Sequence, residues 1–172
     1  MRSILSVLLL ACAAVSYGQQ QPNVAAQRTA MKKLEFLVGK WAGDATVVRG
    51  PGEPMKLRQS EDIQYKLDGL VMLVEGTGRN AEGRIVFGAL ATISYDDTTS
   101  TYRFRAYNDG RYLDTELTVT PGGFAWGYTA GSVKVGNTMH LDEKGQWVET
   151  TEAIVGSSPP RRAVEMTLQR QP

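Results

Sequence analysis

The chain has 172 residues, 42% of them hydrophobic and 22% charged, with 19 Lys and Arg against 18 Asp and Glu. That balance suits one folded domain and excludes a disordered polymer or a chain built of membrane spans. It gives no global electrostatic reason to expect nucleic acid or an anionic membrane as a partner.

Met1-Arg2-Ser3 is a short basic start, Ile4 to Val15 is an almost unbroken apolar run, and Ser16-Tyr17-Gly18 offers small residues before a cut preceding Gln19. This layout predicts a signal peptide over residues 1–18 and a secreted or periplasmic product. The run is shorter than the ~20 residues a membrane span needs, so no membrane insertion is expected. Leu9-Leu10-Ala11-Cys12 loosely resembles a bacterial lipobox, and lipid anchoring through Cys12 is the alternative to simple cleavage. Beyond the leader there is no cysteine, and bases equal acids. Thiolate nucleophiles, disulfides and cysteine metal sites are therefore excluded, and a single histidine excludes the ordinary zinc sites.

Residues 19–30 are polar and then Ala-rich, and read as a flexible linker. Within that stretch Asn23 is placed to cap a short helix reaching about Leu37, with Leu34, Leu37 and Val38 forming its apolar stripe and Gly39 ending it. From Lys40 onward the pattern is alternation interrupted by turns. Breaks fall at Gly50–Pro54, Asp68-Gly69, Asn80–Gly83, Asp96–Ser100, Asn108–Gly110, Pro121–Gly123, Ala130-Gly131, Glu143–Gly145 and Gly156–Pro160. Nine breaks predict ten strands joined by hairpins. No helix long enough for a parallel crossover intervenes. The expected fold is all-β, a closed antiparallel up-and-down barrel of about ten strands with a short N-terminal helix, and a two-sheet sandwich is the alternative.

Period two assigns the faces. Ile85, Phe87, Ala89, Ala91, Ile93 and Tyr95 share one side of their strand, as do Tyr102, Phe104 and Ala106, and then Phe124, Trp126 and Tyr128. Val133, Val135, Met139 and Leu141 follow the same rule, with Asn137 as a break in the pattern. Met72, Phe87, Phe104, Trp126 and Met139 are the candidate ligand-binding lining of the interior, which either fills as a solid core or leaves a pocket. The same parity puts Arg103, Arg105 and His140 in solvent. Glu75 and Glu149 are candidates for an inward carboxylate with a raised pKa. There is no phosphate loop, dinucleotide fingerprint or nucleophile elbow. No catalytic residue, metal or cofactor is assigned.

Leu34-Glu35-Phe36-Leu37-Val38-Gly39-Lys40-Trp41-Ala42-Gly43, with a basic residue at the end of the last strand, resembles the lipocalin-like barrels of the calycin superfamily. The likeness runs over residues 31–170 and is nearest to a bacterial family of such domains to which no activity is assigned. It implies that Trp41 closes one barrel end and that Arg170 packs on its ring. More distantly the chain is similar to nitrobindin-type barrels, which hold haem through a histidine. That would require His140.

Three function classes remain. The first is an exported barrel binding a small hydrophobic or amphipathic molecule, and the sequence favours this over catalysis. The second is a barrel enzyme using Glu75, Arg103, Tyr107 or Glu149, if they point inward, or a haem-binding version of the barrel. The third is an interaction module of the cell envelope.

Overall fold

The computed structural model describes residues 21–48, 50 and 52–172, so the leader and Cys12 lie outside the described residues. A helix, α1 (Val24–Lys32), and a 3-10 turn over Glu35–Leu37 precede ten strands. These are β1 (Gly39–Val47), β2 (Met55–Lys66), β3 (Val71–Arg79), β4 (Ile85–Asp96), β5 (Thr101–Asn108), β6 (Arg111–Thr120), β7 (Gly123–Ala130), β8 (Val133–Leu141), β9 (Trp147–Val155) and β10 (Arg161–Arg170). Each strand pairs with its neighbours in sequence, and β1 pairs with β10, so the antiparallel sheet closes into a barrel. The alternative of two stacked sheets is thereby overturned, because closure leaves no edge strand to protect. No helix among the described residues is long and apolar enough to cross a membrane.

Local chemistry sets the turns. Between β5 and β6, Asp109 and Gly110 both take positive φ, 49° and 73°, which is the two-residue turn whose twist matches flanking strands. The Asn108–Arg111 pair then opens the β5–β6 ladder, and register holds to Tyr102–Leu117. Ladder irregularities fall at Gly78/Arg79 and Arg162/Val164.

The helix closes one end of the barrel. The Asn23 side chain accepts from the Ala26 N–H at 3.0 Å, satisfying one of the free donors at the helix start. Asp97, in the β4–β5 hairpin, takes the Asn23 N–H at 2.7 Å and the Gln27 side chain at 2.5 Å. At the other end the Tyr102 and Tyr65 hydroxyls donate to the Ala30 and Met31 carbonyls, both at 2.7 Å. Residues 24–30 are therefore helical and tied to the barrel, correcting their reading as flexible linker. Ala30 and Met31 are buried against the barrel. The helix also stops at Lys32 instead of running to Leu37, and the 3-10 turn drops Leu34 and Leu37 into the barrel base.

Below the helix, Trp41 is 1% exposed and its indole N–H donates to the Leu37 carbonyl at 2.8 Å. The Arg170 guanidinium lies 4.2 Å from the centre of the Trp41 ring. It also donates to the carbonyls of Phe36 (2.6 Å) and Val38. Gly39 permits this arrangement twice over. Its φ of +122° suits glycine alone, and a Cβ there would lie 2.8 Å from an Arg170 nitrogen.

Candidate functional site

With one end plugged, the interior opens toward the hairpins at the other. Side chains of alternating residues leave a cavity of about 650 Å³. Its floor is Leu37, Ile93, Phe124, Trp147 and Met166. Trp147 meets Trp41 and Phe124 edge to face, with ring centres 5.7 and 6.0 Å apart. Its mouth is framed by Asn108, Arg111, Tyr112 and Ala130.

The walls differ in kind. On β5 and β7 the rings of Phe104 and Trp126 stack at 5.3 Å, and Tyr128 continues the stack at 6.3 Å with its ring 7° from that of Trp126. Alternation along β7 makes this wall, since residues two apart share a face. On β3 to β5 the inward positions include Gly76, Ala89, Ala91 and Ala106. Small residues there, facing bulky ones elsewhere, give the interior room that ten strands of large side chains would fill.

Two carboxyl groups enter this apolar space. Glu61, on β2, is 8% exposed and lines the cavity. Its Oε1 accepts from Gln59 Nε2 at 2.7 Å, while Oε2 has no hydrogen-bond partner among the described residues. Burial pushes its pKa from 4.5 to about 7, the Gln59 hydrogen bond pulls it down, and the charge of Glu149 raises it further. Glu149, on β9, keeps its accessible surface toward the cavity. Asn137 donates to its Oε1 at 2.7 Å and the Trp147 indole to its Oε2 at 2.8 Å. Burial raises its pKa as well, against those two hydrogen bonds. Asn137 is itself 1% exposed, and its Oδ1 is buried without a partner. Neither acid belongs to an ion pair among the described residues.

Of the lining expected from sequence, Phe87, Phe104 and Trp126 border the cavity. Met72 and Met139 point the same way but are packed into the surrounding core, at 0% and 2% exposure. Glu75 is exposed on the outer face and Glu149 is the inward one. Asn137 is no break in the alternation: it pairs with Trp126 and points inward as a polar member of the same face. Arg103 and Arg105 lie outside, where both bind Asp114 at 2.5 and 2.8 Å. Tyr107 is also outside, stacked on Tyr112. His140 is exposed on the outer wall. As the sole histidine, it leaves no imidazole facing the cavity, and the residues present do not fit an imidazole-ligated haem. Among the described residues no cluster of three or more His, Cys, Asp or Glu is arranged to hold a metal.

Glu61 escaped the sequence reading, although a signal for it exists. Leu57 and Ile63 fix the inward parity of β2, and Gln59 and Glu61 share it.

No protein-family model matches the chain, and no curated protein matches it. Solved structures do. Rv2717c from M. tuberculosis superposes with a TM-score of 0.63 at 13% identity, covering 83% of this chain and 98% of that one. The S-type phycobiliprotein lyase CPES from Guillardia theta gives 0.56 at 11% identity, with 83% and 93% covered. The likeness is one of fold, and it spans nearly the whole of each neighbour.

Proposed function

We propose that the protein is an exported barrel that binds a small hydrophobic or amphipathic molecule in its interior, as a member of the bacterial lipocalin-like group its first strand resembles. The observation that carries this reading is the cavity: about 650 Å³, closed at one end by Trp41 and open at the other, and walled by stacked aromatic rings. That size lies within the range of small-molecule sites, and an apolar wall with a few placed polar groups is their usual composition. Phe87, Phe104 and Trp126 are the proposed ligand contacts, while Met72 and Met139 fill the interior core beside the cavity. A barrel of the same fold in a phycobiliprotein lyase is in keeping with a working interior. The direct test is native mass spectrometry of purified protein, with the ligand released by organic extraction. A co-purifying species in one-to-one ratio supports binding, and its repeated absence, with no uptake of added apolar probes, counts against it.

One observation favours a second reading as a barrel enzyme. Glu61, held near pH 7 in an apolar site, is suited to exchange a proton with a bound molecule. Conversion of the recovered ligand by wild type and not by Glu61→Gln would support it.

A further inference from the structure

If the cavity is a binding site, as proposed above, its charges select the head group of the ligand. We propose that the ligand enters with a cationic or N–H-rich group leading, and that this group sits against the carboxyl groups of Glu61 and Glu149 while its apolar body lies on Phe104, Trp126 and Tyr128.

The polar inventory of the cavity argues for this. Its deep acceptors are carboxyl oxygens, and Glu61 Oε2 is the one left without a donor. Among the described residues the sole basic side chain lining the space is Arg111, at the mouth, in the hairpin end of β6. Glu61 has uncharged partners on both sides, Trp41 on β1 and Gly76 on β3. Glu149 likewise has Met139 on β8 and Met166 on β10. Besides these acids and Arg111, the ionisable side chain pointing into the cavity among the described residues is Tyr128, while the Tyr112 ring at the rim stacks outward on Tyr107. A fatty-acid-type site needs an inward guanidinium to grip a carboxylate in two-pronged fashion. Here Arg103 and Arg105 are committed to Asp114 on the outside. A carboxylate driven to the cavity floor would meet two acids and no base. An ammonium or amidinium group would supply the donor that Glu61 lacks and the counter-charge both acids lack.

The experiment uses three fluorescent probes with one naphthyl–alkyl body and different heads: ammonium, hydroxyl and carboxylate. At about pH 8 the ammonium probe is expected to bind roughly tenfold more tightly than the hydroxyl probe, with the carboxylate probe weakest. At about pH 5 the preference should shrink, because burial holds the protons on both acids as the pH falls. Glu61→Gln and Glu149→Gln should each reduce the preference for the ammonium over the hydroxyl probe severalfold. Equal binding of ammonium and hydroxyl probes, tighter binding of the carboxylate probe, or a preference that survives both substitutions overturns the proposal. Failure of all three probes to bind overturns the binding reading itself, and this proposal with it.

Discussion

The carboxyl group of Glu61 occupies the space that a side chain at Gly76 would fill. A Cβ at Gly76 would lie 2.8 Å from Glu61 Oε2 and 2.9 Å from Oε1. The two residues face each other across the β2–β3 ladder. Glycine at this point of β3 is what lets an acid stand inside the barrel.

Gly76→Ala should therefore displace the Glu61 carboxyl toward the cavity. Since the obstructing atoms are the end of a side chain with open space beside it, the loss should be modest, about 1 kcal/mol. It should disappear in the Glu61→Ala background. Chemical denaturation of the two single variants and the double variant measures that coupling. Additive effects would mean that the contact does not constrain Glu61.

The pH dependence of stability has a definite sign. Glu61 binds its proton more tightly folded than unfolded, so the folded state is favoured at low pH and loses stability as pH rises from about 4.5 to about 7. Glu149 acts in the same direction. Asp96, Asp97 and Asp114 act oppositely, because hydrogen bonds to backbone, Gln27 or arginine hold their pKa values below the usual range. Their contribution is present above the ordinary aspartate range and is lost on acidification below it. Denaturation midpoints should thus pass through a maximum in mildly acidic solution. Glu61→Gln keeps the Gln59 hydrogen bond and should flatten the fall toward neutrality, gaining up to roughly 3 kcal/mol at neutral pH. A wild-type profile that rises steadily from about pH 5 to pH 8 would contradict it.

Barrel closure depends on Arg170. Replacement by alanine removes the contact with the Trp41 ring and two hydrogen bonds to Phe36 and Val38 carbonyls. The expected loss is about 1–3 kcal/mol. Lysine should restore less than half of it, since a compact tetrahedral ammonium lacks the planar fork that stacks on the indole while two separate nitrogens reach the two carbonyls. Full rescue by Arg170→Lys in thermal unfolding would show that charge alone is what matters.

Alternation on β5 predicts a contrast between neighbours. Phe104→Ala removes part of the aromatic wall and should weaken binding of an apolar probe roughly tenfold. Arg103→Ala and Arg105→Ala, on the outer face, should leave probe binding within about twofold of wild type. Fluorescence titration of the three variants decides whether the inner face is the one that binds.

How much of this could be read from the chain follows from what each feature depends on. The ten strands depend on local chemistry: Asp109-Gly110, Gly122 and Gly145 supply turn conformations, and residues such as Phe87, Ala89 and Ala91 alternate without interruption. Those signals lie within a few residues of one another and are visible in the sequence. The floor of the barrel depends on Trp41 meeting Arg170 from the last strand, a pairing that the sequence suggests only through resemblance. The acids were partly hidden. Leu70 to Val74 is apolar on both faces, so parity could not rank Glu75 against Glu149. In β2, polar residues on both faces masked the inward parity of Gln59 and Glu61. The cavity itself is a sum over volumes, glycine and alanine on β3 to β5 against aromatic rings on β7, and that sum exists only once closure sets which residues face each other.

The central claim is that the cavity is the binding site, and filling it is the most direct test. Ala89 lines the cavity on β4, and Ala89→Phe would place a ring in the space a ligand needs. Titration with an uncharged environment-sensitive naphthalene dye should give saturable one-to-one binding to the wild type. For Ala89→Phe it should be at least roughly tenfold weaker, with thermal unfolding no lower than that of wild type by more than a few degrees. Equal dye affinity in a folded Ala89→Phe protein would place the binding elsewhere and contradict the account.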